Sequence, residues 1–446
     1  MLNVCDFGII GDGTTNQTEA IKKVIAIAEA QGGGTVYFPP GRYLTGTVEL
    51  CDNMTLYLDA GAVILGSPDP ADYPMMTAEI LPGYTRGGHS GLIKAFRRKN
   101  VAICGRGTID GQGAYWWDNP GNEHRPRAIQ PILCDNVLID GITVINSAMW
   151  TIHPLCCTNV TVHAVTIKNP WDSPNTDGIN PESCLGVHIS NCTIDVGDDC
   201  LTLKSGTEED ILQKQYPCEN IVITNCTMLN GHGGVVLGSE MSGGIRNVTI
   251  SNCVFSGTDR GIRIKTRRKR GGSVSDVVVS NIVMERVFVP FVINGYYCCG
   301  QGVSPEDMSL FSLEPLKADE TTPVIENISI SNIRATKVSV SAGFIYGIPE
   351  QPVKGLSVSN YSVEMLAPEE AKEEAPIMAF HIGKLKGCGI YLANIRDSVF
   401  RDISVCIRGG VGMELVGASG IRVGGFCASG ADEALKMTAC EACITD

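Results

Sequence analysis

Apolar and polar residues alternate along most of this chain in short runs of similar form. The form is Asn-Val/Ile-x-Ile/Val-x-Asn-x-x-Val/Ile, beginning near Asn53, Asn100, Asn136, Asn159, Gly186, Asn220, Asn247, Asp276, Asn327 and Gly355. Period-two alternation marks strands that bury one face. Uninterrupted steps between runs are 23 to 29 residues, room for one coil of three short strands and their turns. Repeats that bury their apolar face only against the next repeat predict an all-β, single-domain parallel β-solenoid. The Asn recurring at each turn suits a ladder of stacked amides.

Only one stretch breaks the strand pattern decisively. From Gln17 to Ala30, apolar residues Ile21, Val24, Ile25 and Ala28 follow helical spacing, with Thr15 or Asn16 as N-cap. An amphipathic helix there would cap the open end of the solenoid and cover its sheet edge. The chain then divides into a cap and first coil (about 1–66), regular coils (about 100–365), and C-terminal coils with their own closure (about 366–446), with no linker between. Longer steps mark insertions at 67–99, 206–218 and 296–322. Long loops on a regular scaffold usually line its functional face.

Composition narrows the class further. The 446 residues exceed the usual span of one compact globule, a limit solenoids escape. Glycine is abundant at 51 and aromatics scarce at 6%, which suits short strands and tight turns. A net charge of −13 argues against a nucleic-acid partner, so an anionic substrate must meet a local basic patch. The 19 cysteines have neither disulfide-framework nor metal-ligand spacing and read as buried thiols. That points to a reducing, cytoplasmic setting. No run reaches transmembrane length and no secretory signal is evident, so no membrane partner is expected. The oligomeric state is not legible.

The chemistry concentrates between Asn175 and Lys265. Four polar clusters close successive apolar segments: Asn175-Thr176-Asp177-Gly178, Gly197-Asp198-Asp199-Cys200, Gly231-His232-Gly233 and Arg263-Ile264-Lys265. Aligned by their tails, Asp177 shares a column with Asp199 and His232 with Asp198. Arg263 and Lys265 fall in the columns of Thr202 and Lys204. Neighbours in a column of stacked coils lie about 5 Å apart, so three carboxylates, an imidazole and two cations would converge. Each cluster alone is ordinary turn or strand chemistry; their succession at one lateral position is not. Glycosidic cleavage needs an acid for the leaving oxygen and a carboxylate for water or direct attack. Like charges held this close raise the proton affinity of at least one member, which keeps an acid protonated near neutral pH.

These four clusters, in this order, resemble the signature of glycoside hydrolase family 28, the polygalacturonases, and the likeness runs from near Asp6 to about Tyr297. The opening segment is similar to those of pectin-degrading β-helix proteins. The resemblance implies a right-handed parallel β-helix and inverting hydrolysis of α-1,4-galacturonosyl bonds. It implies Asp198 as general acid, Asp177 and Asp199 as activators of water, and His232 as the residue that tunes the acid. Arg263 and Lys265 would bind a galacturonate carboxylate, to which Arg brings a planar fork and Lys a point charge. Gly197, where Gln is frequent, resembles bacterial members. The implied partner is an acidic oligosaccharide, an oligogalacturonate, with no cofactor or metal required.

Further segments match more loosely. Asn175 stands beside the acids as a substrate-binding candidate. His153 reads equally as a substrate contact or a packed turn residue. Tyr297, with Tyr296, either stacks on a sugar ring or is a strand-end aromatic. Arg127, in His124-Arg125-Pro126-Arg127, is a candidate for a further uronate. The basic run Arg267-Arg268-Lys269-Arg270 and the insertions at 67–99 and 296–322 would wall one end of the groove, giving an exo-acting enzyme that releases galacturonate. Rival readings are hydrolysis of rhamnogalacturonan or substituted galacturonan, a Ca²⁺-dependent lyase on a similar scaffold, and a binding module without catalysis.

Overall fold

A computed structural model of the chain describes residues 1–77, 81, 83–84, 87–118, 124–210, 215–300 and 308–445. Parts of all three predicted insertions lie outside these residues. The chain forms two compact units, Met1–Thr202 with Glu209–Val222, and Leu203–Glu208 with Ile223–Asp446. Each unit is a stack of right-handed parallel β-helical coils.

The predicted register holds within each unit. In the first, Lys99 pairs with Asp135 and Asp135 with Thr158, which brings Asn100, Asn136 and Asn159 into one column. In the second, Arg246 pairs with Ser275 and Ser275 with Glu326, aligning Asn247, Asp276 and Asn327. The turn asparagines adopt left-handed backbone, with φ of 55° at Asn53, 54° at Asn100 and 59° at Asn136, a conformation Asn tolerates better than most residues. Their amides form the expected ladder: Asn100 donates to Asn53 at 2.8 Å and Asn136 to Asn100 at 2.9 Å. A second ladder runs Asn360 to Asn332 to Asn281 to Asn252, at 2.8, 3.0 and 3.2 Å.

The capping helix spans Thr18–Ala30 and buries Ile21, Val24, Ile25 and Ala28, the four residues its spacing selects. It starts one residue later than the sequence suggested. Asn16 Oδ1 accepts from the backbone N–H of Thr18 at 3.0 Å, so Asn16 closes the turn just before the helix while Gln17 occupies the cap position. The cysteines are thiols, ten of them buried, and burial pushes the Cys156 and Cys184 thiols above the ordinary range. The ten buried ones fill the interior as small apolar groups, while Cys5, Cys406 and Cys427 are exposed.

The basic run corrects its sequence reading. Arg267, Arg268 and Arg270 point inward, each less than 5% exposed. Glu208 accepts from Arg267 at 2.7 Å and from Arg270 at 2.6 Å. Glu350 takes Arg268 through two oxygens, at 2.5 and 2.8 Å. These cations hold loops together and do not present charge to a groove. Removing one partner of such a pair strands a buried charge. Glu350→Gln should therefore lower the unfolding free energy by about 3–5 kcal/mol in urea titrations. Glu285→Gln, whose partner Lys337 is 55% exposed, should leave the midpoint unmoved.

Candidate active site

The acid cluster is built entirely within the first unit. Ile152 bridges Ile179, and Ile179 bridges Leu201, so Asp177 and Asp199 occupy the same position on adjacent coils, as the tail alignment requires. The N–H of Gly178 donates to the carbonyl of Asp199 at 3.0 Å. A Cβ on Gly178 would lie 2.3 Å from the carbonyl oxygen of Cys200; glycine after Asp177 lets the coils approach this closely. One carboxylate oxygen each from Asp177, Asp198 and Asp199 lies within 4.8 Å of the others. Asp177 and Asp199 are 3% and 1% exposed, while Asp198 is half-buried. The cluster therefore has depth, with two acids below and one at the mouth.

Its neighbours are polar and directional. Asn180 donates to Asp177 Oδ2 at 2.9 Å. Asn175 is exposed and sits 3.5 Å from Asp198 Oδ2. Its own Oδ1 accepts from Arg125 at 2.7 Å, and Arg125 also donates to the carbonyls of Pro174 and Ala148, at 2.7 and 2.9 Å. Burial, followed by the nearby Arg127, holds the Arg125 guanidinium below its ordinary value, while Asp177 pulls it the other way.

Two candidates turn out to be packed rather than available. His153 is fully buried, with Nε2 2.8 Å from Glu182 Oε2, also fully buried, and its ring edge-on to Trp150. It is a core residue, not a substrate contact. Arg127 is 4% exposed, with its guanidinium 5.3 Å above the Trp150 ring and one nitrogen 3.4 Å from the Tyr84 hydroxyl. Tyr84, from the 67–99 insertion, lies against it. Arg125, in the same run, is the more exposed of the two.

The second unit holds the imidazole and the cations. His232 is exposed, and its Nδ1 lies 2.8 Å from Asp259 Oδ2. Arg263 stacks in register between Val236 and Val292, and Lys265 between Gly238 and Asn294. Both cations flank the Tyr297 ring, at 5.8 and 5.2 Å from its centroid, which is 8% exposed. Tyr297 thus supports the cations. Tyr296 is buried beneath Arg268 at 5.3 Å and offers no stacking face.

Sequence reasoning missed what holds these groups. Arg260 donates to Asp259 at 3.3 Å and to the carbonyls of Ala375 and Pro376, at 2.5 and 3.2 Å. Met378 places its sulfur 3.1 Å from Arg263, and its carbonyl accepts from Asn294 at 3.1 Å. This segment follows directly on the acidic loop 369–374. The signal for Asp259 was present: with Val235 paired to Ile262, Asp259 is the column neighbour of His232. A cavity of about 560 Å³ lined by Phe344, Tyr391, Lys386 and Arg408 contains none of the predicted residues.

The comparisons with known proteins agree with the geometry. The model for "Glycosyl hydrolases family 28" matches residues 84–375, and one described as "Rhamnogalacturonase A/epimerase, pectate lyase-like" matches residues 1–77. A "Probable polygalacturonase" of Vitis vinifera is 35% identical, over 82% of this chain and 74% of its own. The solved exopolygalacturonase of Thermotoga maritima is 30% identical, covering 82% of this chain and 88% of that one, with a TM-score of 0.70. A family 28 exopolygalacturonase of Yersinia enterocolitica shares the fold at 20% identity and a TM-score of 0.72, over 99% of this chain and 77% of that one. The chain belongs to glycosyl hydrolase family 28. It is a glycoside hydrolase.

The contact of Asp259 with His232 Nδ1 favours the tautomer protonated there and fixes the ring's orientation. Asp259→Ala should lower kcat roughly tenfold or more with KM little changed, in steady-state assays of the folded variant. An unaltered kcat would mean that the pair is merely structural.

Proposed function

We propose that this protein is a polygalacturonase that hydrolyses α-1,4-galacturonosyl bonds with inversion, acting from the non-reducing end and releasing galacturonate. The observation that carries the reading is the tight cluster of Asp177, Asp198 and Asp199, two buried and one at the mouth. Asp198, the accessible member, gives its proton to the leaving glycosidic oxygen. Asp177 and Asp199 hold and deprotonate the attacking water between them. His232, oriented by Asp259, tunes the acid. Arg263 and Lys265 bind the substrate carboxylate, with Tyr297 beneath them, and Asn175 meets the sugar beside Asp198. These roles rest on family membership and on matching residues.

Three carboxylates this close are also a donor set that suits a hard divalent cation, the arrangement a Ca²⁺-dependent lyase would use. Chelation separates the two chemistries: the hydrolase keeps its rate in EDTA and forms no unsaturated product. The exo reading is supported by the likeness to the Thermotoga maritima exopolygalacturonase. The abundance of thiols supports a reducing compartment, the cytoplasm, where short imported oligogalacturonates are the substrate.

The acids are closer than the roughly 6.5–9.5 Å usual between the carboxyl groups of inverting enzymes, so stereochemistry is best read from the product. A timed digest of a defined oligogalacturonate, followed by NMR, should show β-galacturonate as the first reducing sugar, with no mid-length products early on. Initial α-anomer would contradict inversion, and early mid-length products would contradict exo action. Asp198→Asn should reduce turnover by about 10²–10⁴-fold.

A further inference from the structure

Trp171 is the one tryptophan of four that stands out in solvent. It is 77% exposed, whereas Trp116 and Trp150 are 1% and 7% exposed and Trp117 donates its indole N–H to the Ala148 carbonyl at 3.2 Å. Single exposed apolar side chains are common and need no explanation by themselves. Trp171 differs in where it sits and in how firmly its backbone is held.

It lies in the turn Pro170–Ser173, closed by the Ser173 N–H donating to the Pro170 carbonyl at 3.1 Å and by the Ser173 hydroxyl donating to the same oxygen at 2.5 Å. Asn169 anchors the entry: its N–H donates to the Asp195 carbonyl at 2.8 Å, and its side chain to Thr151 at 2.8 Å. Arg125 anchors the exit through Pro174 and Asn175. The turn also rests on Gly197, the residue before the acid pair. A Cβ there would lie 2.5 Å from the Ser173 carbonyl oxygen and 2.6 Å from that of Pro170. Only glycine at 197 admits the turn, and so the turn is seated one residue from Asp198. A rigid backbone thus carries a large, two-torsion aromatic beside the mouth of the acid cluster.

We infer that Trp171 is a sugar-stacking platform next to the acid cluster, taking the face of a uronate ring of the substrate. The inference rests on the uronide-hydrolase reading above and extends it by one binding contact. With O4 axial, one face of a galacturonate ring presents C3–H, C4–H and C5–H, an apolar patch that suits an indole. Arg125, bonded to the same turn, adds the positive charge that a uronate carboxylate seeks. The turn's backbone is held before substrate arrives, so little backbone freedom is lost on stacking.

Trp171→Ala should raise KM for tetragalacturonate about tenfold, with the loss falling on KM rather than kcat, and Trp171→Phe should recover most of it. In the slow Asp198→Asn enzyme, tetragalacturonate should shift the tryptophan emission to the blue and protect it from acrylamide. Adding Trp171→Phe to that enzyme should abolish both signals. An unmoved KM in an active enzyme, or an emission indifferent to tetragalacturonate that binds by calorimetry, overturns the platform and leaves uronide hydrolysis standing. A wild type that neither cleaves nor binds oligogalacturonates overturns the reading itself, before any variant is compared.

Discussion

Everything rests on the parallel ladder. Backbone hydrogen bonds between successive coils fix the register residue by residue, and a slip of one would turn every side chain to the opposite face. Because the bridges from Ile152 to Ile179 to Leu201 are parallel and in register, a position in one of these coils predicts its neighbour in the next. Asp177 and Asp199 are 22 residues apart in sequence yet one strand spacing apart in space. The asparagine ladders, the close approach at Gly178 and the buried thiols all serve that register. None of them is chemical in itself, but without them the acids would not meet.

Given the register, the chemistry follows from depth. Two carboxylates lie almost sealed while the third is half-buried, so one acid is open to solvent and two are screened from it. In the second unit the same principle places Asp259 under His232 and sets Arg263 and Lys265 two residues apart on one strand face. Arg260 ties Asp259 to the carbonyls of Ala375 and Pro376. The loop after the acidic run therefore bears on the imidazole and the cations at once.

The sequence made legible whatever repeats. Period-two alternation, the turn asparagines and the tail alignment gave the coils, the columns and the acid cluster, and helical spacing gave the cap. What stayed hidden depends on partners that carry no period. Arg267, Arg268 and Arg270 read as part of a wall of the groove because Glu208 and Glu350 lie in loops whose positions no pattern reveals. His153 read as a possible substrate contact because its partner, Glu182, is 29 residues further along and belongs to no recognised cluster. The contacts of Arg260 and Arg263 with Ala375 and Met378 span 115 residues. Arg125 was passed over for Arg127 because both cations stand in one run, and only the packing of Arg127 against Trp150 and Tyr84 decides which is left exposed.

The central claim is that Asp177 and Asp199, brought together by stacking, act as one unit on one water. A double-mutant cycle on kcat tests it most directly. Residues that work as a unit are grossly non-additive, so Asp177→Asn and Asp199→Asn together should cost scarcely more than the worse single change. Losses that multiply would mean that the two acids act independently, and the account would fail.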